Sequence, residues 1–454
     1  MSTAWLIFIV VSAVALLLLM VLRFRLNAFI ALLLTAMYAG ILAGMPLPAI
    51  LKSMQKGMGD TLGFVAVVVG LGAIFGQMLE SSGGATALAH TLIARFGQKK
   101  ASWAMVITGF IVAIPVFFDV GFIILVPLVY SLARDSKKSL LYYGIPLLAG
   151  LAVTHSFIPP TPGPVAVADI LSVPLGRVIL FGFIMGIPTA ILAGPVFGKY
   201  ISSRIYVEPP AWFTEDHPEP ESPARGEGPS FRLILLLIGI PILLILGNTL
   251  TATLVDKHLV FSSWLTNTVI FLGHPFSALI IATLLAIWLL GLRRGMERQE
   301  ILSLTTRAMG PAGIIILVTG AGGVLKQVLV DSGIGVILAR HMAASSFSPI
   351  LLGWLLAAVV RVAQGSSTVA MITAAGILAP VVSLMHLSDA RMALLVIAIA
   401  SGATLLSHVN DSGFWLVGKY FGLTEKQTLQ SWTVMETLIA LSGLGLTLLA
   451  GLFV

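Results

Sequence analysis

Residues 361–368 read Arg361-Val362-Ala363-Gln364-Gly365-Ser366-Ser367-Thr368, and they interrupt an apolar run that extends from Pro349 to Met385. A guanidinium and several small or polar residues at that depth are costly in a lipid-exposed helix, so the segment must face protein or line a cavity. A matching interruption, Pro115-Val116-Phe117-Phe118-Asp119-Val120-Gly121, cuts the apolar run between Ala101 and Leu132. These two breaks are the predicted centre of the molecule, and the apolar segments around them are its scaffold.

Composition sets the class. Hydrophobic residues make up 58% of the chain and charged residues 10%, with a mean hydropathy of +1.03. Apolar runs repeatedly reach the ~20 residues that span a bilayer, which excludes a soluble globule. The prediction is an all-α polytopic membrane protein with about 14 hydrophobic segments. The absence of cysteine excludes disulfides, thiolate chemistry and Cys-ligated metal. Trp5 to Leu22 has no basic residue before it and Arg23 and Arg25 after it, the reverse of a secretory signal, so it reads as an uncleaved first helix.

A net charge of +7 could suggest nucleic acid, but the positions of Lys and Arg follow the positive-inside rule instead. Arg23 and Arg25, then Arg95, Lys99 and Lys100, then Arg134 to Lys138 mark cytoplasmic turns. Both termini are then periplasmic. Met45 to Asp60 reads as an amphipathic outer segment followed by a crossing at Thr61 to Leu79. Of the 26 Lys and Arg residues most fall inside, leaving Lys326 and Arg361 within the membrane. Lys326 reads as a snorkelling side chain near a helix end, and Glu80 and Asp331 as helix-end caps.

Ala101 to Ala133 is too short for two crossings of ~20 residues each, so it reads as a re-entrant hairpin with its tip near Phe118-Asp119. Leu140 to Ile158 is broken by Pro159-Pro160-Thr161-Pro162-Gly163-Pro164, which no continuous helix accommodates, because the prolines remove donors and clash with the preceding turn. A Pro-, Glu- and Ser-rich linker at 206–231 then separates residues 1–205 from 232–454. The second part repeats the first, with a hairpin at Pro349 to Met385 and a broken helix at Met392 to Phe421. Gly70, Gly72, Gln77, Ser82 and Gly83 recur as Gly320, Gly322, Gln327, Ser332 and Gly333 at one constant separation. Val116, Leu125, Pro127 and His155 recur as Val369, Leu378, Pro380 and His408 at a slightly larger one. An odd number of crossings, about five per copy plus the hairpin, turns the second copy upside down, the inverted-repeat plan of secondary transporters.

The chemistry is expected where the two hairpin tips meet the two helix breaks. Broken helices expose N–H groups to anions and free carbonyls to cations. Arg361 adds a fork suited to a carboxylate, with pairing to Asp119 or Asp411 as the alternative. The expected substrate-binding set is Arg361, Gln364, Gly365, Ser366, Ser367, Thr368, Asn410, Asp411, Ser412, Pro160, Thr161 and Gly163. Its ligand is a small organic anion carrying polar groups. Proton coupling is assigned to Asp119, His155 and His408, with Asp119 first, because its flanks Phe117, Phe118 and Val120 would desolvate the carboxyl. Both histidines read equally well as hydrogen bonds between helices. No cofactor or metal is expected.

Four segments carry a family resemblance: Arg361 to Met371 (RVAQGSSTVAM), His408 to Leu416 (HVNDSGFWL), Phe117 to Pro127 (FFDVGFIILVP) and His155 to Pro164 (HSFIPPTPGP). They resemble the signature segments of the gluconate:proton symporter family, over about Trp5 to Phe453. The resemblance implies a secondary transporter of the bacterial inner membrane that imports gluconate or a related acid with protons. The gluconate-transporting pattern often carries His where this chain has Thr161, so neighbouring hydroxy acids and D-amino acids stand beside gluconate. Sodium coupling and a homodimer are left open. A hydrolase reading finds no H-E-x-x-H or G-x-S-x-G segment, and a channel would use re-entrant loops as a filter.

Overall fold

The structure is a computed structural model that describes residues 3–97, 100–209, 228–256, 263–333, 348–385 and 387–454. Residues 210–227 of the expected linker lie outside the described residues. The described residues form helices and connecting turns, with no strand among them. In order they are α1 (Thr3–Leu22), α2 (Ala28–Leu42), α3 (Leu47–Ser81), α4 (Gly84–Phe96), α5 (Ala101–Val112), α6 (Phe118–Ser136), α7 (Leu141–Phe157), α8 (Pro162–Ile170) and α9 (Leu175–Ser202). After these come α10 (Phe231–Asp256), α11 (Ser263–Gly273), α12 (Pro275–Arg294), α13 (Arg298–Asp331), α14 (Pro349–Gln364), α15 (Ser367–Val382), α16 (Asp389–Gly402), α17 (Ser412–Phe421) and α18 (Glu425–Ala450). Seven helical runs among the described residues are long and apolar enough to cross a membrane. Leu180, Ile184 and Ile187 of α9 and Leu236 and Leu243 of α10 are exposed, as lipid-facing residues should be.

Two expectations change. Met45 to Asp60 is not a separate outer segment, because α3 runs unbroken for 35 residues and carries the amphipathic stretch into the crossing. The first hairpin turns at residues 113–117, so Asp119 sits in the first turn of α6 and not at the tip. The chain also has α4 and α11, which hydropathy alone did not separate.

The order of elements recurs. Long α3, hairpin α5–α6, broken pair α7/α8 and closing helix α9 are followed later by long α13, hairpin α14–α15, broken pair α16/α17 and α18. Contacts exchange in the same sense: α2 packs on α13 and α12 on α3, while α8 packs on α15 and α17 on α6. The two long helices cross at Gly57 and Gly323, where a Cβ on either residue would run into the other's carbonyl oxygen. Only glycine permits so close an approach. The same helices carry a second polar tie, Ser53 Oγ donating to Asp331 at 2.6 Å, with Gln327 donating to the same carboxylate at 2.8 Å.

Helix starts around the breaks follow from local capping. Ser366 accepts the Val369 N–H at 3.4 Å to open α15, and Asp411 accepts the Gly413 N–H at 3.2 Å to open α17. A Thr424–Gln427 capping box opens α18. Pro162 stands in the first turn of α8, where its missing N–H costs nothing, so the helix resumes earlier than the proline cluster suggested.

Candidate functional site between a hairpin tip and a broken helix

The second hairpin turns in two residues. Gly365 adopts φ +86° as the cap of α14, and its N–H donates to Arg361 O at 2.8 Å. A Cβ there would also strike the backbone of Asn410, so the tip lies directly against the break between α16 and α17. Arg361 is 3% exposed. Its Nη2 donates to Asp411 Oδ2 at 2.6 Å, and its Nη1 donates to Gly365 O. Both ends of the fork are therefore occupied by protein, and Nε is buried without a partner. Of the two sequence readings, the geometry has Arg361 pairing with Asp411.

The tie has further strands. Asn410 Nδ2 donates to Val362 O at 2.9 Å and Ala363 O at 3.3 Å, and His408 Nε2 lies 3.0 Å from Val362 O. Both side chains thus satisfy carbonyls of the last turn of α14, which that helix leaves free. Asp411 also accepts from Ser407 Oγ. Ser407 in turn accepts from Trp432 Nε1 at 2.6 Å, and its carbonyl accepts from Thr433 Oγ1. Trp432 and Thr433 belong to a π turn, Leu429–Thr433, that presents both to one residue.

Several expected binding residues surround this tie without being consumed by it. Gln364 and Thr368 are half-buried, Ser412 is exposed at the start of α17, and Ser367 Oγ is buried with no partner at the start of α15. Two capped helix N-termini and an unpartnered hydroxyl thus stand beside the buried pair, an arrangement suited to a hydroxylated anion.

The first hairpin and first break form a second half-site. A narrow cleft is lined by Gly72 and Ala73 of α3, Pro115 and Phe117 of the tip, and Pro160 and Thr161 of the break. Thr161 Oγ1 donates to Ile158 O at 2.6 Å, Gly163 packs against Met371 of α15, and His155 sits beside Phe117 with Nδ1 buried and unpartnered. Asp119 is exposed in the first turn of α6 and lies within electrostatic reach of Asp411. The half-sites also meet through Phe118 against Trp432, ring centroids 5.3 Å apart.

Three site residues escaped the sequence reading. Ser407 and Trp432 complete the support of Asp411, and Glu436 of α18 is 4% exposed within electrostatic reach of Arg361 and Asp411. Glu436 stands near the start of an apolar run, where a charge reads as interfacial. Lys326, read as a snorkelling side chain, is half-buried within electrostatic reach of Asp169 and Asp60.

Helical hairpins and interrupted helices packed tip to break inside an apolar bundle define a polytopic membrane transporter. The chain belongs to the GntP permease family, whose model, described as GntP family permease, matches residues 5–453. It is 42% identical to a gluconate permease of Pseudomonas aeruginosa over 96% of this chain and 95% of the relative. It is also 42% identical to the Gnt-II system L-idonate transporter of Escherichia coli, covering 96% of this chain and 97% of that one. The crystal structure of the YdaH transporter of Alcanivorax borkumensis matches with a TM-score of 0.64 at 13% identity, covering 92% and 96% of the two chains. That likeness concerns the fold.

Proposed function

We propose that this permease imports gluconate or a closely related sugar acid by proton symport across a bacterial inner membrane, with two oppositely oriented repeats at residues 1–205 and 232–454. The observation that carries the reading is the half-site between the second hairpin tip and the second break, where capped N-termini of α15 and α17 and the unpartnered Ser367 hydroxyl lie beside the buried Arg361–Asp411 pair. The substrate carboxylate lies at these N-termini, and Gln364, Ser366, Ser367, Thr368, Asn410 and Ser412 meet its hydroxyls. Arg361 supplies the local positive charge while holding the tip against the break. Gly365 permits the close approach, and Pro160, Thr161 and Gly163 shape the opposing wall.

L-idonate is a second candidate on a specific ground: a relative named for it is as similar to this chain as one named for gluconate. Thr161, in the cleft wall, is the residue assigned to the choice. The test is uptake of labelled gluconate by proteoliposomes holding the purified protein, with the lumen alkaline, and competition by sugar acids, hydroxy acids and D-amino acids. Saturable accumulation that collapses with an uncoupler supports symport. Accumulation driven only by a sodium gradient, or non-saturable flux, refutes it.

A further inference from the structure

Glu436 stands at a point where the charges do not balance. Trp354 of α14 donates through Nε1 to Ala440 O of α18 at 3.0 Å, fixing the two helices side by side. From that tie, two turns along α14 lead to Arg361 and one turn back along α18 leads to Glu436. Arg361 and Glu436 are 3% and 4% exposed. Thr404 Oγ1 reaches the Glu436 backbone carbonyl at 3.4 Å, and Thr433, one turn before Glu436, holds Ser407. Two carboxyl groups thus share one guanidinium, whose Nη groups are already given to Asp411 and to Gly365 O. Asp411 accepts from Arg361, Ser407 and the Gly413 N–H, whereas no hydrogen bond reaches the Glu436 carboxyl among the described residues.

The charged groups acting on Glu436 are Arg361 from α14 and Asp411 from the break. Of the other elements packed on α18, α7 carries His155 in its last turn, and α16 and α9 carry charges in their terminal turns, including the Asp389–Arg177 pair. A buried acid with neither counter-ion nor hydrogen bond of its own keeps or loses its proton according to the charge beside it.

We propose that Glu436, and not the exposed Asp119, takes up and releases the transported proton, reading through Arg361 and Asp411 whether an anion occupies the site. The inference rests on the symport reading above. The empty site with Glu436 ionised holds one positive and two negative charges. An arriving anion adds one more negative charge, and a proton from water, forming an O–H bond at a Glu436 carboxylate oxygen, cancels it. On the other side the anion leaves, Arg361 again serves only the protein's acids, and the O–H bond breaks to return the proton to water. Loaded and empty sites carry the same net charge, so one proton per anion makes the cycle electroneutral.

The experiment uses the full chain in proteoliposomes with labelled gluconate. A gradient of one pH unit supports at most about tenfold accumulation at one proton per anion. Wild type should approach that value, whereas Glu436→Gln should equilibrate to a ratio near one while retaining gluconate counterflow. Asp119→Asn should still accumulate. Absence of proton-driven uptake in wild type would refute the symport reading itself. If wild type accumulates and Glu436→Gln does so equally, with the same pH profile, the assignment of Glu436 is overturned. Should Glu436→Gln not fold, Glu436→Asp decides: a displaced pH midpoint with coupling kept supports the assignment, and an unchanged midpoint overturns it.

Discussion

Replacing Arg361 isolates the clamp between hairpin tip and broken helix. Its pair with Asp411 is 2.6 Å long, with side chains 4% and 13% exposed. At an effective dielectric of about 20 that 2.6 Å separation corresponds to a gross attraction on the order of 6 kcal/mol, much of it offset by desolvation. Arg361→Ala strands Asp411 and should destabilise the protein by about 3–5 kcal/mol. Arg361→Lys keeps a charge near Asp411 but cannot also reach Gly365 O in the plane of a fork, a loss of about 1.5–3 kcal/mol. With the tip as the proposed binding wall, the same loss should weaken gluconate binding by roughly tenfold or more. Arg361→Ala with Asp411→Ala removes both charges, so the pair should show a coupling energy of about 1–3 kcal/mol. Reversible unfolding of the purified protein in mixed SDS and detergent micelles, followed by tryptophan fluorescence, gives the double-mutant cycle. Additive single effects, or an Arg361→Lys protein as stable and as tightly binding as wild type, would refute the clamp.

Gly365→Ala forces a Cβ into a left-handed residue and onto the Asn410 backbone, so it should cost well over the ~1 kcal/mol of a strained turn and abolish gluconate binding. Wild-type binding by that variant would separate tip from break. Asp119→Asn, at an exposed first-turn position, should leave gluconate accumulation within about twofold of wild type; collapse of pH-driven uptake would restore Asp119 as the coupling group. In the cysteine-free chain, single cysteines at Ser136 and Ser388 should react with an impermeant maleimide from opposite sides of the membrane. Labelling from the same side would refute the oppositely oriented repeats.

Much of this arrangement was legible because membrane burial makes polar residues conspicuous. Arg361, the Gly365-Ser366 turn and the 159–164 prolines stood out against apolar surroundings, and each marks a turn or break. Asp119 was legible as a carboxyl among apolar neighbours, but its place in the first turn of α6 after the hairpin turn depends on where the helix starts. His408 and Asn410 were legible as polar, but their use in satisfying the α14 terminus depends on a contact between segments far apart in sequence. Glu436 was hidden by its place near the start of an apolar run, since the π turn before it and its closeness to Arg361 leave no periodic signature. The fusion of Met45 to Asp60 into α3 was missed for a related reason, because amphipathic and fully apolar stretches share one helical period.

The contacts between α6 and its neighbours in the later part of the chain differ in kind from those of the clamp. Phe118 lies against Trp432, and Phe122 meets Tyr420 and Phe421 edge-on with centroids 5.7 and 5.4 Å apart. A hydrogen bond also crosses here, Tyr130 Oη donating to Tyr420 O at 2.5 Å. Ring faces and edges have shallow preferences over about 4.5–7 Å, whereas hydrogen bonds fail within a fraction of an ångström. This seam is a lubricated bearing beside a riveted joint: ring contacts between α6 and the later α17 and α18 tolerate small shifts, whereas the hydrogen bonds and ion pair that hold the second hairpin to its broken helix do not.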